Sequence, residues 1–235
     1  MPPQRSRARR RGGTRAWMWW VVGAVIVVAV VGGVLVQRSR SGTEHAKAVK
    51  PASTVGPNGG VLVGDTNAPV TITEYGDFQC PVCGELHQLW EPTLEQLVQQ
   101  GKVKFEFVGL EYLDRGTTES LRSAAAAVCA ADAGKFLDYY NALYNGQSST
   151  ENSGFLTNEQ LLSFGSSVGI TDPAFSRCVR SSRYTGWVTK NTDAASQRGV
   201  TGTPTVLMNG KVISNSVAAD PARLTDAVNQ AAGQG

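Results

Sequence analysis

With 235 residues, 22 basic and 19 acidic side chains and a formal charge of +3, the chain has room for one sizeable domain plus an appendage, or for two small domains. Eight of the arginines lie at or before Arg40, which leaves 14 basic residues against all 19 acidic ones, a charge of −5 for the remainder. That remainder has no basic surface for nucleic acid, and the arginine run needs another explanation.

The explanation follows the run directly. Residues 1–16 carry six arginines, and Trp17 to Val36 is then a stretch of 20 residues without a charge. At about 1.5 Å per residue it spans the roughly 30 Å of a bilayer core. The arginine excess before it predicts a cytoplasmic N-terminus, a single-pass signal-anchor in the cell membrane and an extracytoplasmic remainder. The apolar run exceeds a usual signal-peptide core and no small-residue cleavage pattern follows it, so it reads as an uncleaved anchor. Residues 37–60, rich in Ser, Gly, Pro, Ala and Lys, have no apolar period and read as a flexible tether. A folded domain over residues 61–235 is expected beyond it.

Val61 to Val63 and Val70 to Tyr75 have strand character. A helix opens at Cys80 and runs to Gly101, with Leu86, Leu89, Trp90, Leu94 and Leu97 expected on one face and a kink expected at Pro92. Val103 to Val108 is a further strand, so the order strand, helix, strand predicts a parallel crossover. Residues from about 116 to 195 are helical in pattern, too much for one crossover, and predict a helical subdomain inserted into an α/β unit. Thr157 to Gln160 reads as a capping box inside it. Thr205 to Met208 and Lys211 to Ile213 flank Asn209-Gly210, a strong hairpin signal, and a last helix covers Pro221 to Ala232.

The chemistry concentrates in Glu74 to Cys83, EYGDFQCPVC, where a strand passes into CxxC at a helix start. Cys80 takes the N-cap and Pro81 the first helical position, where a missing N–H costs nothing. The free N–H groups and positive dipole end of the helix favour thiolate at Cys80, making it the reactive and exposed sulfur, with Cys83 shielded one turn further in as the resolving thiol. CxxC is also half of a structural zinc site. Neither Cys129 and Cys178, which stand singly, nor His45 and His87 supply a second ligand pair, so no metal is expected. His87 reads as a packing or surface residue. Outside the cytoplasm disulfides persist, and Cys129 with Cys178 reads as a structural disulfide, with a second redox pair and buried free thiols as the other readings.

With a strand leading into CPVC, an inserted helical block and Thr203-Pro204 just before a hairpin, the region from about Gly59 to Ala232 resembles the DsbA-like thioredoxin-fold proteins, especially the membrane-anchored forms of Gram-positive bacteria. The resemblance implies that Glu74, six residues before Cys80, is a buried acid serving the proton of Cys83. It also implies that Pro204 is the cis-proline beside the CxxC, and that Thr203 presents backbone to a substrate strand. Cys80, Cys83 and Glu74 are thus the candidate catalytic residues, and Thr203 and Pro204 the candidate substrate-binding ones. One departure stands out: the best-known strongly oxidising members have a histidine between the cysteines where this chain has Val82.

The expected activity is therefore a thiol-disulfide oxidoreductase, an oxidase of exported cysteine-containing proteins. By resemblance it is reoxidised by a membrane protein of the DsbB or VKOR type, and it needs no diffusible cofactor. No dimerisation module is visible and a monomer is expected. The rival readings are a reductase or isomerase running the same chemistry backwards, and a redox-silent module that holds extended peptides.

Overall fold

A computed structural model describes residues 53–233. The expected membrane segment Trp17–Val36 and most of the expected tether lie outside the described residues. Among those residues, no helix is long and apolar enough to cross a membrane.

The domain is built on a five-stranded sheet, with β1 (Val61–Val63), β2 (Val70–Gly76), β3 (Val103–Gly109), β4 (Thr205–Met208) and β5 (Lys211–Ile213) in the spatial order β1-β3-β2-β4-β5. β2 and β3 are parallel, with Glu74 opposite Phe107, and the remaining pairs are antiparallel. The parallel pair is joined by helix α1 (Pro81–Gln99), the connection that two parallel strands require. β2 sits at the centre of the sheet and is buried almost throughout, which is why its VTITEY sequence is β-branched and aromatic. Any functional group at the C-terminal end of β2 is thereby held on the stiffest part of the fold.

Between β3 and β4 runs the helical insertion: α2 (Glu119–Asp132), α3 (Phe136–Asn145), α4 (Asn158–Ser167), α5 (Pro173–Arg180) and α6 (Thr185–Gln197). The chain ends in a short α7 (Asn215–Ala218), which the pattern did not predict, and α8 (Pro221–Ala232). Several of these helices start on a side-chain cap. Thr157 accepts from Gln160 N on α4, Asp172 from Ala174 N on α5, and Asp220 from Ala222 N and Arg223 N on α8. The hairpin turn places both Asn209 (φ 48°) and Gly210 (φ 78°) in the left-handed region, the geometry of a type I′ turn. Asn209 also secures it to the sheet, its Oδ1 accepting from Thr71 N at 2.8 Å.

Helix α1 continues unbroken through Pro92. Its buried stripe is Cys83, His87, Trp90, Leu94 and Leu97, with Leu86 beside it, at the alternating four- and three-residue steps of a helix packed on one side. Leu89, expected on that face, is 54 % exposed. It stands two residues, about 200°, from His87 around the helix, so the position the leucine pattern assigned to it belongs to the histidine. The other correction concerns the tether. Residues 53–60 are already folded onto the domain: Val55 bridges Val61, and the buried Glu106 carboxylate accepts from Asn58 N at 2.7 Å, Asn58 Nδ2 at 2.8 Å, Gly60 N at 3.1 Å and Thr73 Oγ1 at 3.2 Å. Only the tertiary fold brings that carboxylate under the segment.

The insertion is joined to itself by the Cys129–Cys178 disulfide, Cα–Cα 5.9 Å, which ties α2 to α5 across 49 residues of sequence. Closing such a loop stabilises by about 4 kcal/mol in the chain-entropy model. It also removes both sulfurs from any four-cysteine zinc site. The insertion packs on the sheet through aromatic rings, with Phe78, Phe107, Tyr140 and Tyr144 in mutual contact at centroid distances from 4.8 to 6.4 Å. This cluster lies directly beneath the turn that carries CPVC.

Candidate active site

Cys80 is the N-cap residue of α1 with extended backbone (φ −75°, ψ 115°), and Pro81 is the first helical residue. Unlike the capped helices, α1 has no side-chain acceptor closing its first N–H groups, so those donors face the Cys80 sulfur. The Cys80 thiol is pulled down to about 6 from an ordinary value of 9.0, first by the hydrogen bond from Cys83, then by Thr203 and the backbone N–H groups of Cys83 and Val82, against the opposing effect of burial. Burial pushes Cys83 well above its ordinary value, and the interactions with Cys80 and Glu74 push the same way. Two thiols of one chemical type are thus separated into a ready thiolate and a held thiol by their places on one helix turn. Both are free cysteines in this structure.

The sequence reading made Cys80 exposed; its residue is in fact only 6 % exposed. The cover is the loop preceding β4, where Thr203-Pro204 is a cis peptide and the Thr203 carbonyl accepts from Cys80 Sγ at 3.4 Å. The fold therefore brings Cys80, Cys83, Thr203 and Pro204 together, from two segments 120 residues apart in number. Cys129 and Cys178 lie elsewhere, inside the insertion.

Glu74 is 1 % exposed on β2. Its Oε2 accepts from the Tyr140 hydroxyl at 2.6 Å, while Oε1 has no hydrogen-bond partner among the described residues. Burial raises the carboxyl to about 8, opposed by the Tyr140 hydrogen bond, reinforced by the charge on Cys80, and opposed again by Tyr144. A carboxyl poised near neutrality beside a thiol of raised pKa can exchange a proton with it in either direction.

Several residues the motif reading left unassigned complete the site. Asp77, fully buried in the turn after β2, accepts from Gln79 N at 2.9 Å, Ser120 Oγ at 2.6 Å and Leu113 N at 3.1 Å, and its carbonyl takes Cys80 N at 2.9 Å. Burial raises its carboxyl to about 7, its hydrogen bonds working against the rise. Gln79 continues the network, donating to Ser120 Oγ at 2.8 Å and Asp114 Oδ1 at 3.2 Å and accepting from Asn152 N at 2.6 Å. From the insertion, Gln147 Nε2 donates to the carbonyls of Phe78 at 2.8 Å and Cys80 at 3.0 Å. Gly84 leaves room for this, since a Cβ there would collide with Gln147 Oε1. His87, fully buried, stacks on Tyr144 at 5.2 Å and meets Tyr140 edge-on at 5.1 Å, and burial lowers it to about 4, so it is neutral. An acid three residues before CxxC was a visible signal for Asp77. Nothing local distinguished Gln147 or the two tyrosines.

Among the described residues, no group of three or more His, Cys, Asp or Glu side chains is arranged to hold a metal ion. What the site can do is thiol-disulfide exchange: a stabilised thiolate, a resolving thiol in reach of it, and a buried acid for the proton.

Known proteins agree with that chemistry. A family model described as thioredoxin matches residues 57–229. Disulfide bond formation protein D of Bacillus subtilis is 29 % identical over 159 residues, covering 66 % of this chain and 69 % of that protein. Among solved structures, the reduced disulfide bond oxidoreductase DsbG of Mycobacterium tuberculosis matches with a TM-score of 0.67 and 27 % identity over 76 % of this chain and 90 % of its own. Reduced DsbA of the same organism matches with a TM-score of 0.63 and 27 % identity, over 77 % and 88 %. With a family match over most of its length and the thiol pair, cis-proline loop and buried acid in one place, the chain belongs to the thioredoxin family, among its DsbA-like members, and is a protein thiol-disulfide oxidoreductase.

Proposed function

We propose that the enzyme works as an oxidase, outside the cytoplasm and anchored by Trp17–Val36, introducing disulfides into exported proteins through Cys80 and Cys83. The observation that carries the direction is the contrast between the two sulfurs. A thiolate held at about 6 on Cys80 favours the dithiol form of the enzyme over its disulfide, and a stabilised reduced form is what makes a disulfide oxidising. The Val82 side chain adds nothing to this. The donors at Cys80 are the Cys83 thiol, the Thr203 side chain and the backbone N–H groups of Cys83 and Val82, none of which depends on a histidine between the cysteines.

A client thiolate attacks Cys80 Sγ of the enzyme disulfide; the bond to Cys83 breaks and its electron pair stays on Cys83, which takes up a proton from the Glu74 carboxyl. A second client thiolate attacks the client sulfur of the mixed disulfide, and Cys80 leaves as the stabilised thiolate. The client has lost two electrons and two thiol protons; the enzyme holds the electrons as the Cys80 thiolate and the Cys83 thiol, and Glu74 regains its proton from those the client released. Thr203, 3.4 Å from the Cys80 sulfur through its carbonyl, presents backbone to which an extended client strand pairs, with Pro204 offering no competing N–H. Reoxidation falls to a membrane protein of the DsbB or VKOR type within reach of the anchored domain.

The test is the reduction potential of Cys80-Cys83 in the full-length chain, equilibrated with glutathione buffers. A value near the DsbA figure of about −120 mV is expected, and one near the thioredoxin figure of about −270 mV overturns the oxidase in favour of a reductase.

A further inference from the structure

One face of α3 is turned wholly to the active site. Tyr140 and Tyr144, one turn apart, lie on the same side of the helix, and Gln147 follows two residues past its last residue, Asn145. The first two converge on a single carboxyl. Tyr140 Oη donates to Glu74 Oε2 at 2.6 Å. The Tyr144 hydroxyl and Glu74 Oε1, neither with a hydrogen-bond partner among the described residues, border the same space above Gly76: a Cβ at Gly76 would stand 2.8 Å from each and 2.6 Å from Phe107 Cε2. Both phenols are fully enclosed and are themselves pushed far up by burial, with the Glu74 charge adding to it, so they remain donors throughout the working range. His87 backs the pair, stacked on one ring and edge-on to the other.

We propose that Tyr140 and Tyr144 are positioning residues that clamp the Glu74 carboxyl, so that the proton affinity of the acid serving Cys83 is set by a helix of the insertion and not by a cation. The argument is one of available partners. The titratable groups acting on Glu74 are Tyr140 and Tyr144 from α3 and Cys80 and Cys83 from α1, with Asp77 of the intervening turn acting on Tyr144; its register neighbours Phe107 on β3 and Val206 on β4 are apolar. Among the described residues, no lysine or arginine is among the groups that shift it. A buried carboxylate in that setting depends on neutral donors to ionise at all, and a hydrogen bond to a charged group is the strong kind. Gly76 supplies the space in which the second phenol approaches. The inference rests on reading Glu74 as the proton partner of Cys83, and it gives the insertion a part in the chemistry beyond covering the sheet.

The experiment uses the reduced full-length chain. The ionisation of Glu74 is followed by infrared difference spectroscopy of its carboxyl C=O stretch, assigned by its loss in Glu74→Gln. Tyr140→Phe keeps the ring and removes the donor, and should raise the midpoint by about one pH unit, a tenfold gain in proton affinity. Tyr144→Phe should move it the same way by less, and the double variant furthest. Ring-fluorinated tyrosine at Tyr140, a stronger donor of nearly the same size, should lower it, which keeps the test available if a phenylalanine variant does not fold. Midpoints unmoved by donor removal and by fluorination overturn the clamp. The pH profile of client oxidation in Glu74→Gln is a separate arm: if it matches the parent, the assignment of Glu74 to Cys83 fails, while the infrared shift still decides the clamp.

Discussion

The Gln147 side-chain amide lies 3.0 Å from the carbonyl oxygen of Cys80, donating to the residue whose thiol is pulled down to about 6. Gly84 N also reaches that carbonyl, at 3.2 Å, and the same amide holds the Phe78 carbonyl at 2.8 Å. The turn that aims helix N–H groups at the sulfur is therefore braced from the insertion. Gln147→Ala should loosen it and raise the Cys80 pKa by about half to one unit, an effect of roughly 1 kcal/mol. Ultraviolet thiolate absorbance against pH reads this directly. An unchanged titration in a folded variant would show that the brace serves stability alone.

The two sulfurs should be separable by substitution. Cys83→Ser is expected to accumulate mixed disulfides between Cys80 and client proteins, because the intramolecular escape is gone. Cys80→Ser should accumulate none. Non-reducing gels of cells expressing each variant check this, and equal trapping by both sinks the division of roles.

Buried ionisable groups make stability depend on pH in predictable directions. His87 is lowered to about 4 from 6.5, so between those values the unfolded chain binds a proton that the native one refuses, and stability falls as pH drops through that window. His87→Leu should remove up to one proton from that dependence. Denaturant midpoints at pH 4 and pH 7 test it, the expectation being a smaller difference between them in the variant.

Glu74 runs the other way. Its carboxyl is raised to about 8 from 4.5, so the native state holds a proton that the unfolded chain releases, and stability falls as pH rises across that interval. Glu74→Gln, which cannot ionise, should gain stability over the parent at pH 8 and little at pH 4, at the expense of the proton step. Thermal unfolding of the reduced proteins at both values measures this. A variant less stable than the parent at pH 8 contradicts it.

Replacing Cys129 and Cys178 together by alanine should destabilise by about 2–4 kcal/mol, since the loop they close is long, and should leave the Cys80 titration where it was. A shifted titration would make the disulfide part of the redox machinery.

Much of this protein is legible one dimension at a time. Strand, helix and hairpin came from local signals: β-branched runs, Pro81 after a capping residue, Asn209-Gly210 between two short strands. The helix start at Cys80 followed too, because it is a local object whose free N–H groups lie within three residues of that thiol. What local pattern could not supply was anything decided across the fold. Leucine spacing placed Leu89 in the core and left His87 open between packing and surface, yet His87 is buried because two tyrosines of a helix 50 residues away complete its cage. Cys80 was read as exposed because the Thr203-Pro204 loop that covers it arrives from 120 residues downstream. A cysteine at a helix start is legible in the residues alone, and with it the backbone donors that help lower the Cys80 thiol. What encloses Glu74 and holds the turn in place is settled across the fold, because burial and hydrogen bonding are properties of neighbours in space, and Tyr140, Tyr144 and Gln147 become neighbours of Glu74 and Cys80 only once the insertion has folded back over the sheet.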